Sequence, residues 1–177
     1  MIRGIADGDR RAMQILYTRH SVRIYRFILR LTHDASLAED LVNEVFLDVW
    51  RRAETFRGES QASTWLLGIA RYKALSALRR RHDEQLDESA AATIEDPAED
   101  PETLLHNGQR RAALERCLAE LSPAHREVID LVYYHEKSVE EVARIVGVPP
   151  STVKTRMFYA RKRIETLLAS TGLGELH

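Results

Sequence analysis

Between Ser151 and Ile164 the sequence STVKTRMFYARKRI holds five basic side chains, Lys154, Arg156, Arg161, Lys162 and Arg163, and no acidic one. A solvated helical face normally mixes signs, so a one-signed face points to phosphate. At about 100° per residue, Ser151, Thr155, Phe158, Tyr159 and Lys162 project to one side. Val153, Met157, Ala160, Ile164 and Leu167 fall opposite them as a buried stripe. Hydroxyls, an exposed phenyl ring and a cation suit the base edges and thymine methyls of a major groove. The preceding residues are those needed to aim such a helix. Ser138 and Glu141 are spaced as a capping box, and Val139, Val142, Ala143 and Val146 give a short helix one apolar side. Gly147 permits the positive φ of a sharp turn, and Pro149, Pro150 and Ser151 restart the chain as a new helix. This is the pattern of a helix-turn-helix.

A second basic concentration lies in residues 61–80, predicted to be helical. Arg71, Tyr72 and Lys73 interleave cations with an aromatic ring, which suits single-stranded DNA, where bases stack and phosphates need counter-charge. The run Arg79-Arg80-Arg81 fits the same purpose, but also complements the dipole of a helix C-terminus, and both readings stay open. Trp65, Leu66, Leu67, Ile69, Leu75 and Leu78 nearly encircle this segment, which predicts a central helix. Upstream, the periodicity predicts helices over 11–17, 22–31 and 37–52, with Ser36 and Glu39 as a second capping box. Leu41, Val42, Val45, Phe46 and Val49 form the buried stripe of the last of these. Its outer face presents Asp40, Asn43, Glu44, Leu47 and Arg51. A leucine among carboxylates is either an ordinary exposed side chain or the apolar centre of a protein interface.

Charge is distributed unevenly along the 177 residues, although the net charge is only −1. Residues 1–82 hold 15 Lys/Arg against 9 Asp/Glu, residues 83–109 hold none against 9, and residues 110–177 hold 11 against 9. Two basic blocks flank an acidic, proline-bearing strip too poor in large apolar side chains to fold alone. The expected organisation is an all-α chain of two small helical domains, 1–82 and 110–177, joined by a flexible acidic linker over 83–109. No apolar run approaches the roughly 20 residues needed to span a bilayer, and the first residues do not read as a signal peptide. A cytoplasmic protein without membrane insertion is expected. Cys117 is the only cysteine, which excludes an internal disulfide or a multi-thiolate metal site. The seven histidines lack metal-ligand spacing, and no P-loop or nucleophile-elbow motif is present. We therefore expect no enzyme, no metal and no cofactor. On these residues alone, a free-standing helix-turn-helix regulator remains possible.

Three strings, AEDLVNEVFLDVW (38–50), FRGESQASTWLLGIARYKALSALRRR (56–81) and LSPAHREVIDLVYYHEKSVEEVARIVGVPPSTVKTRMFYARKRI (121–164), occur in an order and spacing that resembles the extracytoplasmic-function (ECF) sigma factors of bacterial RNA polymerase. The resemblance implies a sigma region 2 bundle over 1–82 and a region 4 domain over 110–177. It implies core RNA polymerase (through the β′ clamp and β flap), promoter DNA and an anti-sigma factor as partners. Asp40, Asn43, Glu44 and Leu47 match the positions that dock on the clamp. Phe56, Arg57, Thr64, Trp65, Arg71, Tyr72, Lys73, Arg79 and Arg80 fall in the part that opens and reads the −10 element by extruding a base. Ser151, Thr152, Lys154, Thr155, Arg156, Phe158, Tyr159, Arg161 and Lys162 fall in the part that reads the −35 element, with Arg126 as a further phosphate contact. The family usually has Gln at the position of Asn43 and often Asn at that of Tyr72. A phenol can stack or donate a hydrogen bond, but cannot pair bidentately as an amide does. The resemblance also carries the linker toward the RNA exit channel, where nine carboxylates either mimic RNA or serve only as a tether.

Overall fold

The computed structural model describes residues 1–87 and 114–170, with side chains described through 84 and 169 respectively. All regular elements among these residues are helical. The chain divides into two compact units, Met1–Pro97 and Ala98–His177, so the fold is all-α with two helical domains.

In the N-terminal unit, α1 (Ile2–Ala6), α2 (Arg10–Thr32), α3 (Ala35–Arg52) and α4 (Ala62–Asp87) follow in order, with a 3-10 turn over Ala53–Thr55. Asp9 starts α2 by accepting the Arg11 and Ala12 amides at 2.9 and 3.1 Å, a side-chain cap on otherwise orphaned donors. The predicted break between 17 and 22 is absent. Residues Thr18 to Ser21 interrupt the apolar pattern but contain neither Gly nor Pro, and the Thr18 hydroxyl donates to the Gln14 carbonyl at 2.9 Å. The helix runs through and stops at His33, whose φ of 53° is left-handed. The expected Ser36 cap is also corrected. Asp34 caps α3, accepting the Leu37 amide at 2.8 Å, while its other oxygen takes Arg81 at 2.8 Å. A carboxylate with its own cation thereby sets the start two residues early, and Ser36 lies within the first turn.

The α3 stripe is buried as predicted, Leu41, Val42, Val45, Phe46 and Val49 being at most 5% exposed. Helix α4 packs on both α2 and α3, but not by being apolar all round. Its buried line is Leu66, Leu67, Ala70, Ala74 and Ala77, whereas Trp65, Ile69, Leu75 and Leu78 are only half-buried. Three alanines let two helix backbones approach it closely, and the wider side chains sit at the edges. Helix α4 also continues through Asp87, beyond the domain end expected at 82. Residues 83–87 lack Gly and Pro, and Glu, Gln and Leu extend a helix readily. The rest of the acidic strip 83–109, with its expected roles, lies outside the described residues.

In the C-terminal unit, helical residues 114–119 (α5) are followed by α6 (Pro123–Ile129), a π-helical turn over Asp130–Tyr134, α7 (Val139–Val146) and α8 (Pro150–Ser170). Leu121, Ile129 and Ala160 form a core cluster against which Leu118 and Ile164 pack. Val128, Leu131, Val142 and Val153 are fully buried, and Cys117 is a core residue at 3% exposure.

Candidate nucleic-acid interface

The sequence builds the α7–α8 corner as expected. Both halves of the capping box form: the Glu141 amide donates to Ser138 Oγ at 3.2 Å, and the Ser138 amide to Glu141 Oε2 at 3.0 Å. Gly147 adopts φ 75°, so the amides of Gly147 and Val148 both reach the Ala143 carbonyl, at 2.9 and 3.2 Å. The Pro149 carbonyl then receives the Thr152 and Val153 amides at 3.0 and 3.2 Å, which opens α8 in a new direction. Val153, Met157 and Ala160 are buried and fix the rotation of α8.

That rotation leaves Ser151, Lys154, Thr155, Phe158, Tyr159, Arg161, Lys162 and Arg163 exposed, with Thr152 and Arg156 half-buried. Phe158 and Tyr159 are 61% and 55% exposed, and their rings meet edge to face at 5.4 Å. Two large aromatic side chains in solvent, among cations, are poorly explained as packing. A shallow cleft beside them is lined by Val139, Lys154, Met157, Phe158, Arg161, Lys162 and Glu165. The Thr155 hydroxyl donates to the Ser151 carbonyl at 3.0 Å, leaving its oxygen lone pairs outward as acceptors.

Arg126 has a structural task inside the unit that its sequence position did not indicate. Its Nε donates to the Leu118 carbonyl at 3.0 Å, and Nη2 to those of Ala119 and Leu121 at 2.7 and 3.2 Å. Three carbonyls at the end of α5 are thereby satisfied by one guanidinium, and Arg126 is half-buried. Sequence reasoning does not single out Tyr133. It is 57% exposed, and its phenol oxygen accepts Arg161 Nε at 2.8 Å.

On the N-terminal unit, the candidates over 56–80 differ in exposure and in their partners. Trp65, Tyr72 and Arg79 recur at seven-residue spacing and share one side of α4. Phe56 extends this line, its ring 5.1 Å from that of Trp65, where the chain passes Gly58 at φ 75°. Tyr72 is 74% exposed, and Arg57, Arg79 and Arg80 are exposed as well. Arg71 is half-buried. Thr64 is 3% exposed, so its side chain belongs to the interior rather than to a contact surface. Lys73 is also engaged within the unit, bridging Glu44 at 3.2 Å and Asp48 at 3.0 Å. Burial acts to lower its pKa, but the two carboxylates outweigh it and hold the ammonium above the ordinary lysine range. Lys73 therefore ties α4 to α3 and does not point outward as a free cation.

Asp40, Asn43, Glu44 and Leu47 are all exposed on α3, as their spacing requires. Leu47 is 47% and Trp50 37% exposed. Trp50 follows Leu47 by three residues, so it doubles the apolar centre of this acid-rimmed face. That i, i+3 spacing is the sequence signal by which it can be recognised. Among the described residues no cluster of His, Cys, Asp and Glu could hold a metal ion, and no helix is long and apolar enough to cross a membrane.

Comparison with known proteins matches the two units to two family descriptions, Sigma-70 region 2 over residues 16–84 and Sigma-70, region 4 over residues 111–164. The ECF RNA polymerase sigma factor SigL of Mycobacterium tuberculosis is 32% identical over 177 residues, covering 97% of each chain. SigK of Mycobacterium bovis, also an ECF sigma factor, is 30% identical over 171 residues, covering 95% of this chain and 91% of its own. Among solved structures, the sigma factor RpoE of Bartonella quintana, crystallised with the anti-sigma factor NepR, is 26% identical with a TM-score of 0.70. The match covers 88% of this chain and 96% of that one. CnrH, solved with the cytosolic domain of CnrY, shares the fold at a TM-score of 0.68 and 23% identity, over 96% of this chain and 95% of that one. With a whole-length relative above 30% identity and both regions matched in order, this chain belongs to the ECF sigma factors and directs RNA polymerase in transcription initiation.

Proposed function

We propose that the chain divides promoter recognition between its two units while bound to core polymerase. Helix α8 enters the major groove of a −35 element. Lys154, Thr155, Phe158 and Tyr159 meet base edges there, and Arg161, Lys162 and Arg163 meet phosphates. The α4 line of Trp65, Tyr72 and Arg79, with Phe56 and Arg57 beside it, receives the unpaired strand of a −10 element. Aromatic faces stack on bases and guanidinia hold the backbone. Base capture of this kind opens the duplex by binding energy, without nucleotide hydrolysis. The α3 face of Asp40, Asn43, Glu44 and Leu47, joined by Trp50, docks on the β′ clamp, and the C-terminal unit meets the β flap. Bartonella RpoE in complex with NepR supports the further reading that an anti-sigma factor holds this chain inactive.

The observation carrying this reading is the exposed face of α8. From residue 151 to 164 it presents only basic charge, with two solvent-facing aromatic rings, on a helix whose opposite side is fixed in a core. Paired variants in holoenzyme reconstituted with core polymerase test it. Lys154→Ala with Thr155→Ala should lower promoter binding at least tenfold, about 1–3 kcal/mol per lost base contact, with core affinity unchanged. Asp40→Ala with Leu47→Ala should lower core affinity and spare the DNA preference of the holoenzyme. Loss of duplex binding alone by both pairs would instead favour a free-standing regulator.

A further inference from the structure

We infer that Tyr133 is a positioning residue for the phosphate contact of Arg161, delivered to the recognition helix by the π-helical turn at the end of α6. The inference rests on the reading of α8 as the −35 helix. Its evidence lies in the three-way arrangement of turn, phenol and guanidinium.

The turn over Asp130–Tyr134 is wider than the α-helix it continues. The His135 amide reaches back five residues to the Asp130 carbonyl at 3.1 Å, and the Lys137 amide six residues to that of Leu131 at 3.0 Å. Glu136 sits between them at φ 53°, a left-handed conformation that a side chain with a Cβ adopts at a cost. The turn is anchored on its inner side by Leu131 at 0% and His135 at 3% exposure. Wide turns of this type occur often at functional sites. Here the anchoring leaves Tyr133 outward and beside α8.

Tyr133 meets Arg161 in two ways. Its hydroxyl accepts Nε–H at 2.8 Å, and the guanidinium carbon lies 5.6 Å from the ring centroid. Holding the guanidinium by Nε leaves both Nη groups free as a fork, the geometry that engages two phosphate oxygens. A carboxylate could orient the same group but would cancel its charge. A phenol fixes the rotamer and leaves the cation intact. Immobilising one long side chain at an interface costs binding free energy, and Tyr133 meets that cost before DNA arrives.

The test uses holoenzyme reconstituted from full-length chain and core polymerase. The probe is a duplex enriched by wild-type holoenzyme from a randomised pool, titrated across a range of salt concentrations. Arg161→Ala should reduce the salt slope by about one phosphate contact. Tyr133→Phe, which keeps the ring and removes the acceptor, should weaken binding about two- to tenfold in the wild-type background. In the Arg161→Ala background it should do nothing. Equal loss in both backgrounds would mean that Tyr133 touches DNA itself, and would overturn the inference. No loss in either background, with Arg161→Ala still weak, would overturn it equally. If Arg161→Ala changed neither affinity nor slope, the reading of α8 at this position would fail first. Unchanged thermal unfolding of Tyr133→Phe separates all of these outcomes from a folding defect.

Discussion

Asp34 shows how one side chain can carry two structural duties that the surrounding sequence does not advertise. Its carboxylate caps α3 through the Leu37 amide and pairs with Arg81 near the far end of α4. The Leu37 amide first, and then Arg81, hold its pKa below the ordinary aspartate value of 3.8. Because the folded pKa lies below the unfolded one, its contribution is present above the unfolded value and is lost as pH falls through the folded value. Asp34→Ala should cost about 1 kcal/mol, mainly as a lost cap, since the exposed pair with Arg81 adds little. Denaturant titrations at pH 7 and pH 3 should show that difference shrinking in acid. A constant difference would mean that charge is not involved. Lys73 gives the complementary lesson. Set between Arg71 and Tyr72 on one side and a basic run on the other, it reads as part of a nucleic-acid surface. Its ammonium instead lies between Glu44 and Asp48, which are on a different helix far away in the sequence.

Helix α4 keeps one aromatic and basic edge exposed while packing its other side on two helices, and alanine at 70, 74 and 77 makes this possible. Ala74 is 0% exposed, so Ala74→Leu should destabilise the N-terminal unit by about 1–3 kcal/mol through overpacking, as read by chemical denaturation. An unchanged midpoint would show that α2 and α3 do not close on this face. The two stripes that aim α3 and α8 were legible because Leu41 to Val49 and Val153 to Ala160 keep strict helical spacing. The capping box at Ser138 and the left-handed Gly147 were legible because local chemistry alone decides them. Three features were hidden. Thr18 to Ser21 look like a break, but nothing in them prevents a helix. Ser36 is a competent cap displaced by Asp34 and its distant Arg81. Tyr133 gains its role only when a π turn sets it against α8. The last two depend on contacts that periodicity does not encode, and the first on the absence of any residue that breaks a helix.

Over the full chain, the candidate surfaces sit on separate helices, and their chemistry differs in kind. The α8 face is cationic, hydroxylic and aromatic, the α4 line is aromatic passing into arginine, and the α3 face is acidic around Leu47 and Trp50. Recognition, melting and docking should therefore fail independently when each is altered. A template with a pre-opened bubble over the −10 element separates the first two most directly. Permanganate reactivity and run-off transcript should be measured on it and on the closed duplex. Holoenzyme carrying Tyr72→Ala should open closed DNA weakly and make little transcript on it, both restored on the bubble. Lys154→Ala with Thr155→Ala should show a binding defect that the bubble does not restore. Identical rescue of both variants, or full opening of closed DNA by Tyr72→Ala, would contradict the assignment of strand opening to α4.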